Sequence, residues 1–167
     1  MHSLDRLTSV AERAAELLPL LDSLRIDDAA LAELFATTGS DPWHRLELVD
    51  CPEVHATLFG LRVGATIPLH DHPDMTVLCK VLRGTMRVRT LSFFEAGRAL
   101  DLGTVDADPT AAPLILRDKL HEITALTDCV FLDLFSPWYD NDARPCTYWR
   151  IAAERDGVFT LERTERH

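Results

Sequence analysis

From Trp43 onward the chain is a succession of short β-prone runs, at 44–49, 54–61, 75–82, 85–92, 112–117, 121–126, 129–135 and 146–151, parted by Gly, Pro and Asp. Runs this short, rich in β-branched and aromatic residues and bounded by turn formers, are strands rather than helices. Strands must pair to satisfy their backbone edges, so many of them at close spacing predict a mainly β barrel or sandwich. The preceding residues follow another rhythm. Leu4, Leu7, Val10, Ala14, Leu17 and Leu18 recur at three- and four-residue spacing, which predicts a helix from residue 3 toward 36 that Pro19 ends or kinks. A second short helix fits residues 28–36, with Asp27 or Asp28 as its cap, Leu31, Leu34 and Phe35 as its buried stripe, and Gly39 soon after its end. The expected organisation is a helical prefix over residues 1–40 packed on a β domain over 41–167.

The 167 residues, 47% of them hydrophobic, suffice for one domain with a real core. Against 27 acidic side chains stand 17 basic ones, and the net charge of −10 argues against nucleic acid or an anionic membrane surface as partner. A small or cationic ligand suits it better. No apolar run reaches the roughly 18 residues of a membrane span, and the N-terminus has no leader-like pattern, so a cytoplasmic location is expected. Cys51, Cys79, Cys129 and Cys146 form no Cys-x-x-Cys pair. Reduced thiols are predicted, not a zinc knuckle or a disulfide frame.

Within the β region, "IPLHDHPDMTVLCKVLRGTMRV" (67–88) sets His70 and His72 one residue apart between Pro68 and Pro73. In an extended strand residues i and i+2 share a face, so two imidazoles can point inward while Asp71 looks outward. That is two corners of a metal site, although two such histidines also occur as ordinary polar residues at a loop end. A third ligand would come from another strand. His121 heads a run in which Ile123 and Ala125 alternate behind it, and it is the best candidate. His2 and His167 lie at the termini, and His44 and His55 sit in strands with no ligand neighbour.

The pattern of Gly64, five residues, His70-x-His72 and then Gly84 resembles the first cupin motif, and His121 stands where the second motif supplies its histidine. Val77 occupies the place where many cupins carry a glutamate ligand, and Ala125 that of a frequent asparagine. Two stretches narrow the likeness. "PLHDHPDMTVLCKVLRGTMRV" and "HEITALTDCVFLDLFSPWYDNDARPCTYWR" resemble the thiol dioxygenases that comprise cysteamine dioxygenase and the plant cysteine oxidases. The resemblance implies a small cupin-type β-barrel, a double-stranded β-helix or jelly roll. It implies Fe(II) held by His70, His72 and His121, and O2 used to oxidise a thiol to a sulfinic acid. The implied substrate is cysteamine, cysteine or the N-terminal cysteine of a peptide; the expected state of the chain is a monomer. A metal-containing cupin that only binds or senses a small ligand is the alternative.

Asp133 interrupts the apolar run "CVFLDLF", where a carboxylate is costly unless paired or neutralised. A strand-end acid bonded to a backbone amide or an arginine would explain it. The resemblance instead implies a catalytic role facing the cavity, on the substrate's ammonium group or in proton movement. Tyr139, in "SPWYD", matches the family's loop tyrosine and is the second implied catalytic residue, its hydroxyl directed to oxygen or substrate. Cys146 and Tyr148 share a strand face, for which packing is the simplest reading. Cys79 reads as a small buried residue, Glu122 as outward-facing, and Trp138 and Trp149 as wall or core.

Overall fold

The computed structural model describes residues 15–25, 27, 29, 35, 41–51, 54–117, 119–137, 142 and 145–164. Among them run eleven strands: β1 (Trp43–Cys51), β2 (Val54–Leu61), β3 (Thr66–Asp71), β4 (Thr76–Arg83), β5 (Met86–Glu95), β6 (Arg98–Ala107), β7 (Leu114–Arg117), β8 (Leu120–Ala125), β9 (Cys129–Ser136), β10 (Thr147–Arg155) and β11 (Val158–Thr164). One layer is a five-stranded antiparallel sheet in the order β1-β2-β9-β4-β7. The other strands form a ring, β10-β11-β6-β5-β8-β3, which closes where Tyr148 pairs with His70. This is the mainly β jelly roll expected from the strand pattern.

The main core lies between the layers. Val77, Cys79 and Val81 of β4 and Phe131 and Phe135 of β9 meet Met86 and Val88 of β5 and Ile123 and Ala125 of β8. Val130 and Leu132, at the alternate positions of β9, pack on the other side with Leu21 and Phe35. Strand β9 is therefore apolar on both faces, which is why its sequence runs without alternation. The helical residues 15–23 cover that outer face. Lys80, only 2% exposed, pins them there: its Nζ donates to Asp22 Oδ1 (3.1 Å) and to the carbonyls of Pro109 (3.1 Å) and Ala111 (2.7 Å). A third cluster, including Leu69, Leu91, Leu120, Phe159 and Leu161, fills the ring of the second layer. Leu69 precedes His70 and Leu120 precedes His121, so strand alternation turns the histidines to the opposite side, toward the main core.

Gly84 makes the β4–β5 turn with φ +72°, and a Cβ there would stand 2.2 Å from the Asp128 carbonyl oxygen. No other residue fits that place. Strand β6 was not anticipated, because only Ala99 and Ala107 near its ends are buried and the intervening side chains face solvent. Pro19 lies inside the helical run rather than ending it, with its ring exposed. Residues 3–14 and the predicted second helix, apart from Ala29 and Phe35, lie outside the described residues. No described helix is long and apolar enough to cross a membrane. Cys79 and Cys129 are buried thiols, as expected.

Candidate metal centre

The extended backbone of β3 turns His70 inward, and His72, two residues on, follows it to the same side. His121 pairs directly with His70 across the β3–β8 ladder. The three rings converge, with centroid separations of 4.2 Å for His70–His121, 4.8 Å for His70–His72 and 5.2 Å for His72–His121. One ligand atom from each lies within 4.8 Å of the others. His70 and His121 are buried and His72 is half-buried. The sequence-predicted triad is thus brought together.

The electrostatics suit a cation. Burial lowers the pKa of all three imidazoles, His70 to about 4 and the other two well below the usual histidine value. They are neutral at neutral pH, with lone pairs available. The Nδ1–H of His70 donates to the Pro68 carbonyl at 2.7 Å, which leaves Nε2 as the nitrogen for a metal. Neither ring nitrogen of His121 makes a hydrogen bond of normal geometry, and the Lys119 carbonyl only weakly offsets the effect of its burial. Buried imidazoles in this state fit a first-row metal ion, for which imidazole is a good ligand. Three ligands leave coordination positions for other molecules.

Neighbouring strands brace the cluster. Asp71 accepts the Thr147 N–H on Oδ1 and the Trp149 indole N–H on Oδ2, both at 3.1 Å, and so ties the end of β3 to β10. It faces away from the metal side, as predicted. Partial burial pushes its pKa up, against the pull of those bonds and of Arg163. Trp149 is the partner of Asp71 and packs against Phe93. Around the histidines, the Phe135 ring stands 5.2 Å from His72 and the Tyr148 ring 5.7 Å from His70. Val77, in the place of a cupin glutamate, is fully buried in the apolar core and supplies no ligand.

Asp133 shares the inner face of β9 with Phe131 and Phe135 and is 4% exposed. Among the described residues no arginine or backbone amide meets its Oδ1, which has no hydrogen-bond partner there, and the Cys79 thiol faces it across the β4–β9 ladder. Burial pushes its pKa up to about 7, the nearby Cys79 thiol acting in the opposite direction. The carboxylate therefore stands in the interior between the layers, on the wall that also holds Phe135. Tyr139 and Trp138 lie outside the described residues.

Two interior residues escaped the sequence reading. His55 is buried on β2 opposite Phe135, with ring centroids 5.8 Å apart, so a fourth imidazole lies one aromatic ring from the triad. Cys79 is buried as expected, but it is also the cross-strand partner of Asp133. Both relationships depend on register between strands distant in sequence. Parity along "VHATLFGL" would have turned His55 inward with Phe59 and Leu61, but could not name what it faces.

The PCO_ADO family model matches residues 20–166. The 2-aminoethanethiol dioxygenase of Homo sapiens is 32% identical, over 84% of this chain and 66% of its own length. Plant cysteine oxidase 1 of Arabidopsis thaliana is 28% identical, over 90% of this chain and 61% of its own. The chain thus spans less than two thirds of the length of these curated relatives. Among solved structures, KdgF from Halomonas sp. aligns with a TM-score of 0.51 at 20% identity, over 64% of this chain and 90% of that one. A Klebsiella pneumoniae protein with a double-stranded β-helix domain aligns with a TM-score of 0.53 at 12% identity, over 75% and 92%. At such identities the structural likeness concerns the fold alone, a cupin-type jelly roll. The family match extends from the outer helical cover to the last strand and takes in His70, His72 and His121, and the chain belongs to the PCO_ADO family.

Proposed function

We propose that the chain is an Fe(II)- and O2-dependent thiol dioxygenase that oxidises a small aminothiol, cysteamine or cysteine, or the N-terminal cysteine of a peptide, to the sulfinic acid. The observation that carries this reading is the ligand set: three neutral imidazoles with no carboxylate among them. A thiolate adds negative charge when it binds, and a site whose protein ligands add none accepts that charge and keeps room for O2. Iron, when bound, supplies the one-electron chemistry that lets O2 react with a thiol. The names of the relatives, 2-aminoethanethiol dioxygenase and plant cysteine oxidase, support the aminothiol class.

The remaining work falls to the chain's own side chains. His70, His72 and His121 hold the ion, with the Pro68 carbonyl fixing the His70 ring. Phe135 and Tyr148 wall the ligand cluster with aromatic faces and limit water there. Asp133 receives the substrate's ammonium group on its unpartnered Oδ1. A cation arriving there favours the ionised carboxylate, so amine binding and carboxyl deprotonation reinforce each other. Tyr139, from its place in the family-like loop, is assigned to donate its hydroxyl to oxygen or substrate.

The test is oxygen uptake. Protein loaded anaerobically with Fe(II) is expected to consume O2 with cysteamine, cysteine or a Cys-initiated peptide and to add two oxygen atoms to the thiol. Iron and thiol bound without any uptake would overturn the enzyme and leave a binding or sensing cupin.

A further inference from the structure

The inner face of the five-stranded sheet carries one polar row across an otherwise apolar and aromatic wall. Thr57 of β2, Asp133 of β9 and Cys79 of β4 are direct partners across two ladders, 3%, 4% and 1% exposed. One neighbouring row is Phe59, Phe131 and Val81, and the other is His55, Phe135 and Val77. The second of these touches His72 through Phe135. The polar row is therefore one strand repeat, roughly 7 Å, further from that contact.

Cys79 faces Asp133 directly across the β4–β9 ladder, both side chains buried, and the carboxylate's Oδ1 has no partner among the described residues. Nor does a buried cation share its face. Among the described buried residues the cationic side chain is Lys80, which follows Cys79 in β4, projects to the opposite side and is already held by Asp22 and two carbonyls. A carboxyl group turns readily about its last torsion, so an interior carboxylate with one free oxygen is aimed only if something grips the other.

We propose that Cys79 is a positioning residue: its S–H engages one oxygen of Asp133 and leaves the other to receive the ammonium group of an aminothiol. This deepens, and rests on, the thiol dioxygenase reading of the site. A thiol suits the task because it is a weak donor that orients a carboxylate without neutralising it, as a lysine or arginine would. Burial, and after it the nearby Asp133 charge, keeps Cys79 a thiol far above its usual pKa. It therefore does not compete with a substrate thiolate for the metal. Among the described residues the other titratable groups of the interior are Cys129 on β9 with Asp133, Cys146 before β10, His55 from β2, and His70, His72 and His121 from the facing layer.

The test follows the Asp133 carboxyl directly, by infrared titration of the metal-loaded full chain, with the band identified by its loss in Asp133→Asn. Removing the donor in Cys79→Ala is expected to raise the titration midpoint by about one pH unit, a tenfold change in proton affinity. Cys79→Ser keeps a donor and is expected to stay near the parent. In anaerobic binding, Cys79→Ala is expected to weaken cysteamine about tenfold, the same one-unit effect, and to leave ethanethiol unchanged, since ethanethiol lacks the ammonium. A Cys79→Ala midpoint equal to the parent's, equal shifts in the Ala and Ser variants, or equal weakening of both thiols would overturn the assignment. Should the iron-loaded parent oxidise no thiol, the dioxygenase reading falls, while the infrared comparison still decides whether Cys79 orients Asp133.

Discussion

His70 and His121 stand directly opposite one another on the β3–β8 ladder, with their ring centroids 4.2 Å apart. Strand register, not a loop, sets this approach. A slip of one residue would replace His121 by Leu120 or Glu122 and turn the imidazole out of the interior. The ligand pair is as rigid as the sheet that carries it.

Removing His121 therefore takes away the one candidate ligand that comes from the facing strand. Loss of groups that merely orient metal ligands typically weakens metal binding about 10- to 100-fold, so His121→Ala, which deletes a ligand, is expected to lose more. Iron content after anaerobic loading and gel filtration checks this. Retention at the parent's level would remove His121 from the ligand set.

Asp71 tests whether the bracing of β3 matters to the site. Asp71→Ala frees the Thr147 amide and the Trp149 indole N–H, at a cost of about 1–3 kcal/mol for stranded donors. Urea denaturation is expected to show that loss, together with weaker iron retention, because the strand end carrying His70 and His72 is then held to β10 by its backbone ladder alone.

Asp133 links stability to pH. Its folded pKa of about 7 lies above the ordinary aspartate value, so the native chain keeps a proton that the unfolded chain releases. The contribution of Asp133 to stability therefore falls as pH rises from about 4 to about 7, by roughly 4 kcal/mol at most for about three units at about 1.4 each, while the buried imidazoles with their lowered pKa values contribute the opposite slope. Asp133→Asn lacks this slope. In metal-free protein it is expected to be more stable than the parent at about pH 8 and to lose that advantage near pH 4, by urea midpoints. Loaded with iron, the variant is expected to retain the metal and to oxidise cysteamine roughly 10- to 100-fold less efficiently, the worth of a charged hydrogen bond.

Lys80 reports on the outer cover. Its ammonium is buried and satisfied by Asp22 and two carbonyls, and Asp22 is itself largely exposed, so Lys80→Ala is expected to destabilise the fold by about 1–3 kcal/mol, the cost of the carbonyls it strands. Circular dichroism is expected to show helical signal lost with it, because Asp22 sits in the helical run that Lys80 anchors.

The strands and the histidine cluster were legible because their signals are local. The runs at 54–61 and 129–135 coincide closely with β2 and β9, and the two-residue spacing of His70 and His72 fixes their shared face. Strand β6 was hidden because its middle is exposed and presents no alternation. Asp133 was conspicuous as a charge in an apolar run, but its partner Cys79 and its neighbour His55 emerge only from the pairing of β2, β9 and β4, which no single segment encodes.

The central claim is that three imidazoles alone hold a ferrous ion whose remaining positions take a thiolate and O2. The most direct measurement is product mass from the iron-loaded chain turned over with cysteamine under isotopically heavy O2. The account predicts a sulfinic acid in which both oxygen atoms are heavy, and no such product from His121→Ala. A product whose oxygens come from water, or unchanged cysteamine while iron and thiol are both bound, would contradict it.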